Sequence, residues 1–268
     1  MASNGSVLTG QFISPGDWIK HKVVAVQDYA VLAWLSVINL FRRPIYIADM
    51  IQQADLIGVG SLPIVAAAIF FTGAALALNS ATTLTRFGAL SELGQLVSIG
   101  IVRELGPVLA GLVVSGRNAA GIASELGSMT VTEQIDAMRA LGTDPSKKLV
   151  TPRVVATTLM LFFLTIVGDL MGLVGGNFVS SSLLGVDSRQ YWHKVRDVLE
   201  FADVFIGLTK PLIFGFIIAT VGCYFGLSTR GGTQGVGRST TVAVVASMIL
   251  VIIVDVIVTR FLMVVLGG

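Results

Sequence analysis

The chain has 268 residues, 54% of them hydrophobic and only 13% charged, with a net charge of +2 and a mean hydropathy of +0.84. Soluble domains carry about 25% charged residues, and so few charges cannot cover this much apolar surface in water. A bilayer removes the conflict, because lipid takes the place of the polar shell. The composition therefore excludes a soluble fold, and the small net charge gives no footing for nucleic acid.

From the N-terminus, Met1 to Asp17 is polar and lacks the apolar core of about 7–15 residues that a cleaved signal peptide needs, so none is expected. Val23–Phe41 is apolar but holds Gln27, Asp28, Ser36 and Asn39, with Lys20 and Lys22 before it and Arg42 and Arg43 after it. Basic residues on both sides favour a helix lying in one interface over one that crosses. Five apolar spans follow, at 58–79, 97–128, 154–180, 204–228 and 242–266. The second is long enough to project beyond the bilayer and contains Pro107, which predicts a kink. The fold class is all-α and polytopic, with residues 1–43 as an N-terminal interfacial region and 44–268 as one membrane domain.

With the N-terminus inside, the inner segments 1–57, 129–153 and 229–241 carry ten Lys and Arg; the outer loops, about 80–96 and 182–203, carry four. That bias places the N-terminus in the cytoplasm and, after five spans, the C-terminus outside. The single cysteine, Cys223, excludes an internal disulfide framework and reads as a small apolar helix residue.

Motifs for covalent chemistry are missing. No lysine follows a glycine, so there is no Walker A loop, and there is no Gly-x-Ser-x-Gly elbow. His21 and His193 stand far apart, with no metal-binding pattern around them. The chain is expected to be no enzyme and to bind no cofactor or metal itself.

The inner segment Thr130–Pro145 predicts a short amphipathic helix. Thr130 and Glu133 have capping-box spacing, Ile135, Met138 and Leu141 recur at three-residue steps, Gly142 reads as a stop, and Asp144-Pro145 prevents continuation. It is either an ordinary interfacial loop helix or a helix that docks in a groove of a cytoplasmic partner. Within the second span, Arg103, Glu104, Arg117 and Glu125 are costly in hydrocarbon unless paired or facing a cavity. On an unbroken helix Arg103, Arg117 and Glu125 fall within roughly 80° of one another. The stripe is either an ion-pair ladder to neighbours such as Asp169, Lys210 and Asp255 or a wall meeting a lipid headgroup, whose phosphate suits the forked donors of arginine. Lys210, near the end of its span, is either a snorkelling lysine or part of that wall. Gly168, Gly172 and Gly176, and then Gly222 and Gly226, have the spacing of close helix contacts.

Several segments together resemble the MlaE/YrbE permease family: Arg103-Glu-Leu-Gly-Pro-Val-Leu109, Ser115-Gly-Arg117, Glu133-Gln-Ile-Asp-Ala-Met138, Asp144-Pro145 and Pro152-Arg153, in that order. The likeness continues through Gly185-Val-Asp-Ser188, Lys210, Gly237-Arg-Ser-Thr-Thr241 and Val254-Asp255, over roughly 45–266. The resemblance implies a homodimeric permease beneath which two cytoplasmic ABC ATPase subunits bind, with ATP and Mg held by those partners. It also implies a periplasmic MCE-domain protein, usually a hexamer, and movement of phospholipids or related lipids between the bacterial inner membrane and the periplasmic path to the outer membrane. Glu133, Gln134, Ile135, Asp136, Met138, Arg139, Leu141 and Asp144 then form the coupling helix, and Arg103, Glu104, Arg117, Glu125 and Lys210 are lipid-cavity candidates. The rivals are an ion-coupled transporter using Asp169, Glu125 or Asp255, an intramembrane enzyme, for which no nucleophile and base converge, and a scaffold that only anchors an ATPase and a periplasmic protein.

Overall fold

Lipid offers no partner to a backbone amide or carbonyl, so each apolar stretch must close its hydrogen bonds within itself. The computed structural model accordingly shows only helices among the residues it describes, 15–40, 42 and 46–266. Residues 1–14 of the polar N-terminal stretch, Arg43, the boundary between residues 43 and 44 and the side chains of residues 15–22 lie outside the described residues.

Eight helical segments are arranged in order: α1 (Pro15–Leu40) and α2 (Ile47–Arg86), α3 (Leu90–Val131), α4 (Gln134–Ala140), α5 (Ser146–Ser182), then α6 (Ser188–Val198), α7 (Phe201–Leu227) and α8 (Gly232–Leu266). Six of them, all but α4 and α6, are long and apolar enough to cross a membrane. The first of the six includes the 23–40 stretch that its basic flanks assign to the interface. It packs through a stripe containing Tyr29, Ser36 and Asn39; Tyr29 shares a hydrogen bond of 3.0 Å with Thr220 Oγ1 of α7.

The spans outrun their apolar cores. α2 has 40 residues, about 60 Å at 1.5 Å per residue, so it projects well past the hydrocarbon. The loop expected over 80–96 shrinks to residues 87–89, because Asn79–Arg86 continues α2 and Leu90 already begins α3. The outer loop expected over 182–203 holds α6, anchored by the fully buried Tyr191, whose hydroxyl donates to the Leu173 carbonyl at 3.2 Å. Burial raises the phenol of Tyr191 above its ordinary titration range.

α2 and α5 share the most extensive contact of any helix pair among the described residues. A side chain at Gly73 would run into the backbone of Gly172, and Gly168 and Gly172 receive Ile69. Gly222 and Gly226 of α7 lie against Ala119 and Ala123 of α3. Both small-residue stripes are thus packing seams within the chain. The main core gathers on Ile69, Val97, Ile101, Leu161 and Phe214, and a second cluster, around Leu126, Ile135, Val150 and Val154, closes the end that carries α4.

α3 is interrupted by two π turns, Ile101–Leu105 and Ser115–Ala119. Pro107 stands in the first turn of the α segment resumed after the first of them, a position where its missing amide is least disruptive.

Candidate functional site: polar groups in the bundle and the short helix at its end

Of the charges along α3, Arg103, Glu104 and Arg117 stand in these π turns and Glu125 lies six residues beyond the second, and the four meet residues of α2, α5 and α7. In an unbroken α-helix the amide of residue 107 would bond to the Arg103 carbonyl, and Pro107 has no amide to give. Lys210 Nζ of α7 donates to that carbonyl at 3.0 Å and to Glu104 Oε2 at 2.6 Å, and it lies 3.0 Å from Asp255 of α8. The Lys210 side chain is fully buried, with Glu104 36% and Asp255 15% exposed. The snorkelling reading of Lys210 is therefore replaced: an internal carbonyl and two carboxylates hold its ammonium inside the bundle. Arg103 turns to Asp203 in the first turn of α7, at 3.4 Å.

Glu125 accepts from Arg153 of α5, with 2.7 Å between Oε1 and Nη2, and Arg153 Nη1 also donates to the Leu149 carbonyl at 2.6 Å. Arg117 turns towards α2, where Nη1 donates to Ser61 Oγ at 3.3 Å. It lies so close over Gly60 that any side chain there would collide with the guanidinium. Arg117 and Glu125 line one cleft of about 240 Å³ between α2 and α3, together with Gln53, Leu56 and Asn118.

The single stripe expected from helical periodicity is thereby corrected. Arg103 belongs to the α7 side, while Arg117 and Glu125 share a cleft facing α2. Each π turn takes in one residue more than an α turn and swings the next stretch of the helix by about 100°. The expected ladder holds for Glu104, Lys210 and Asp255 but not for Asp169. That carboxylate is buried against Gly106 at the first π turn, and its Oδ1 has no hydrogen-bond partner among the described residues.

The short helix α4 starts by another device than the expected capping box. Thr130 belongs to α3, where its hydroxyl donates to the Leu126 carbonyl at 2.8 Å. The turn into α4 is made by Glu133 in the left-handed region, at φ 59°. The stop is as expected: Gly142, at φ 76°, donates to the Arg139 carbonyl and Thr143 to that of Met138, the paired bonds of a Schellman motif. Asp144 Oδ1 then accepts the Ser146 amide at 2.9 Å and caps the start of α5.

Ile135 is buried in the second core cluster, with Met138 packed against it. Leu141 departs from the expected shared face: it lies beyond the last helical residue and is 84% exposed. Glu133, Gln134, Asp136, Arg139 and Asp144 are not buried either, and Asp136 pairs with Arg139 at 2.9 Å. One side of α4 is thus anchored in the bundle, and the other presents polar groups and one bare leucine.

Sequence reasoning missed Asp203 and Arg153 as partners and Asn118 as a cleft residue. Asp203 carried a signal, since a carboxylate in the first turn of a span invites an arginine from the adjacent helix. Among the described residues no group of His, Cys, Asp and Glu could hold a metal ion.

The family model described as Permease MlaE matches residues 50–261, a range that takes in α4 and both polar groups of α3 with their partners. The chain belongs to the MlaE permease family. It is 42% identical over 246 residues to a probable ABC transporter permease protein of Rickettsia typhi, covering 91% of this chain and 95% of that one. A probable ABC transporter permease protein of Synechocystis is 40% identical over 205 residues, 76% of this chain and 78% of its own. The chloroplastic protein TRIGALACTOSYLDIACYLGLYCEROL 1 of Arabidopsis thaliana is 33% identical over 231 residues, 86% of this chain and 66% of its own. This permease is therefore the non-catalytic membrane subunit of an ABC transporter, and ATP hydrolysis belongs to separate partner subunits.

Proposed function

We propose that the permease moves phospholipid, or a related lipid, between the bacterial inner membrane and the periplasmic path to the outer membrane. Two ATPase subunits drive it; they hold the ATP and Mg and dock on α4. In this reading the α4 end is cytoplasmic, the C-terminus periplasmic, and the 23–40 stretch lies in the interface. A second copy of the permease completes the membrane unit, and a hexameric MCE-domain protein receives or supplies lipid on the periplasmic side.

The observation that carries the reading is the construction of α4. A loop helix with no partner has no need to expose Leu141 just past its end while Ile135 anchors it in the second core cluster. Such a helix delivers a push from a docked ATPase straight into α3 and α5, between which it lies in the chain. Support for a lipid cargo comes from the Arabidopsis relative, which is named for a glycerolipid.

The test is reconstitution of the complex, purified through a tag on this chain, into liposomes carrying a fluorescent phospholipid. ATP-dependent movement of the probe is expected, and Leu141→Asp is expected to abolish it and to reduce the amount of ATPase recovered. Movement that tracks an imposed proton gradient and ignores ATP would replace this reading with an ion-coupled carrier. Lipid flux left unchanged by substitutions at the cavity residues would leave a scaffold.

A further inference from the structure

The cations along α3 and on the helices packed against it fall into two kinds. Arg103, Arg153 and Lys210 each face a carboxylate within 3.4 Å. Arg117, midway along α3 and exposed at the surface of this chain, faces none among the described residues; one of its five N–H donors reaches Ser61 Oγ. Its position is nevertheless built, because the guanidinium occupies a seat left by the missing side chain of Gly60.

Beside it stands Asn118, only 6% exposed, whose Nδ2 is buried without an acceptor among the described residues. Both line the same cleft of about 240 Å³, with Gln53 on the opposite wall. A buried donor left unmet costs stability, and an arginine kept at membrane depth without a counter-charge costs more. An anion in the cleft answers the guanidinium directly, and it meets the Asn118 amide once that side chain turns outward. Glu125 also lines it, but Arg153 holds that carboxylate at 2.7 Å, so Arg117 leaves the three charges with an excess of one positive.

We propose that this cleft binds a phosphate-bearing group: the headgroup phosphate of a membrane lipid or a free phosphate ester. The guanidinium presents a planar fork of donors that matches two phosphate oxygens, and Asn118 supplies a third donor. The volume suits a headgroup and excludes acyl chains, which would run outside along the exposed Leu56. The cleft lies towards the α4 end of α2, eight residues separating Gln53 from Ser61, about 12 Å of helix. Its assignment to the cytoplasmic leaflet, as the place where lipid is taken up or delivered, rests on the proposed function; the anion site itself does not.

The experiment uses the complex purified from native membranes in mild detergent. It is titrated with dihexanoyl-phosphatidylglycerol and read by native mass spectrometry. Saturable binding is expected for the wild type, about tenfold weaker or worse for Arg117→Gln, and several-fold weaker for Asn118→Leu. Arg117→Lys, which keeps the charge and loses the fork, should fall between. Displacement of the probe by inorganic phosphate marks a site for free phosphate as well; no displacement marks a lipid headgroup site. Equal binding by wild type and Arg117→Gln, or displacement by dihexanoyl-glycerol, which has no phosphate, overturns the proposal. So does an Arg117→Gln complex of smaller mass, since Arg117 would then be paired by another chain. ATP-driven lipid movement measured on the same preparations separates the two ideas. Movement with unchanged binding in Arg117→Gln removes only this site, whereas specific binding without movement by the wild type removes only the transport reading.

Discussion

Replacing Lys210 by methionine tests whether the polar network is held together as described. Lys210 Nζ faces Glu104 at 2.6 Å, Asp255 at 3.0 Å and the Arg103 carbonyl at 3.0 Å, and the side chain is fully buried. Removing one partner of a buried pair costs about 3–5 kcal/mol, because the other charge is left uncompensated. Glu104 is 36% exposed and recovers part of its hydration, so the lower end, roughly 3 kcal/mol, is expected. For a chain of this size that corresponds to a fall of about 6–12 °C in thermal midpoint. The assay is thermal unfolding of the detergent-purified complex for four proteins: wild type, Lys210→Met, Glu104→Gln with Asp255→Asn, and the triple variant. The triple variant should regain most of the loss, since neutral amides beside methionine strand no charge, and the cycle isolates the coupling. A Lys210→Met protein as stable as the wild type would refute the reasoning, and so would a triple variant no better than Lys210→Met.

Gly73→Val should prevent accumulation of folded protein, or cost about 3 kcal/mol or more, because its side chain meets the Gly172 backbone, which cannot yield. Gly237→Ala, where nothing lies within 4 Å, should gain about 0.5–1 kcal/mol as an ordinary helix-interior change, read by the same thermal assay. Glu133→Gly relieves a left-handed residue and should raise stability by about 1 kcal/mol; if that side chain meets the ATPase, ATP-driven lipid movement should fall in the same protein. Asp169→Asn removes a buried carboxylate with an unpartnered oxygen and should be neutral or stabilising by about 1 kcal/mol in thermal unfolding; a loss of stability would mean that the charge is compensated.

Much of this could be read beforehand, and for physical reasons. Long apolar stretches with no alternative to internal hydrogen bonding announce the spans, and Gly142 with Asp144-Pro145 close behind announces the break between α4 and α5. Small residues four apart announce seams, although only the structure shows that Gly172 meets Gly73 of α2. Apolarity marks the depth of lipid and not the length of a helix, so the ends of α2 and all of α6 stayed hidden. α6 is short and amphipathic, and only Tyr191 and Val195, four residues apart and both buried, hinted at it. The start of α4 was misjudged because Thr130 and Glu133 satisfy the spacing of a capping box while Thr130 is still satisfied by its own helix.

The deeper reason for the misplaced charges is α3 itself. Periodicity assumes one turn repeated, and α3 changes its turn twice, where Arg103 and Glu104 and then Arg117 and Asn118 stand. A π turn releases part of the backbone ladder and re-aims the side chains beyond it. At the first, Pro107 withholds an amide and Lys210 supplies the missing donor from another helix. At the second, Arg117 swings over Gly60 towards α2. Uniform α-helix would tie the two polar groups to one face, whereas the π turns let one long element hold a closed ion-pair network and, some twenty ångströms along its axis by the rise per residue, a cleft with donors to spare. The same helix ends at the turn into α4. Glu125, held by Arg153 of α5, ties both flanks of that turn together. Separation of the two polar groups along α3 therefore places the cleft at the α4 end and the network around Lys210 in the other half of the bundle.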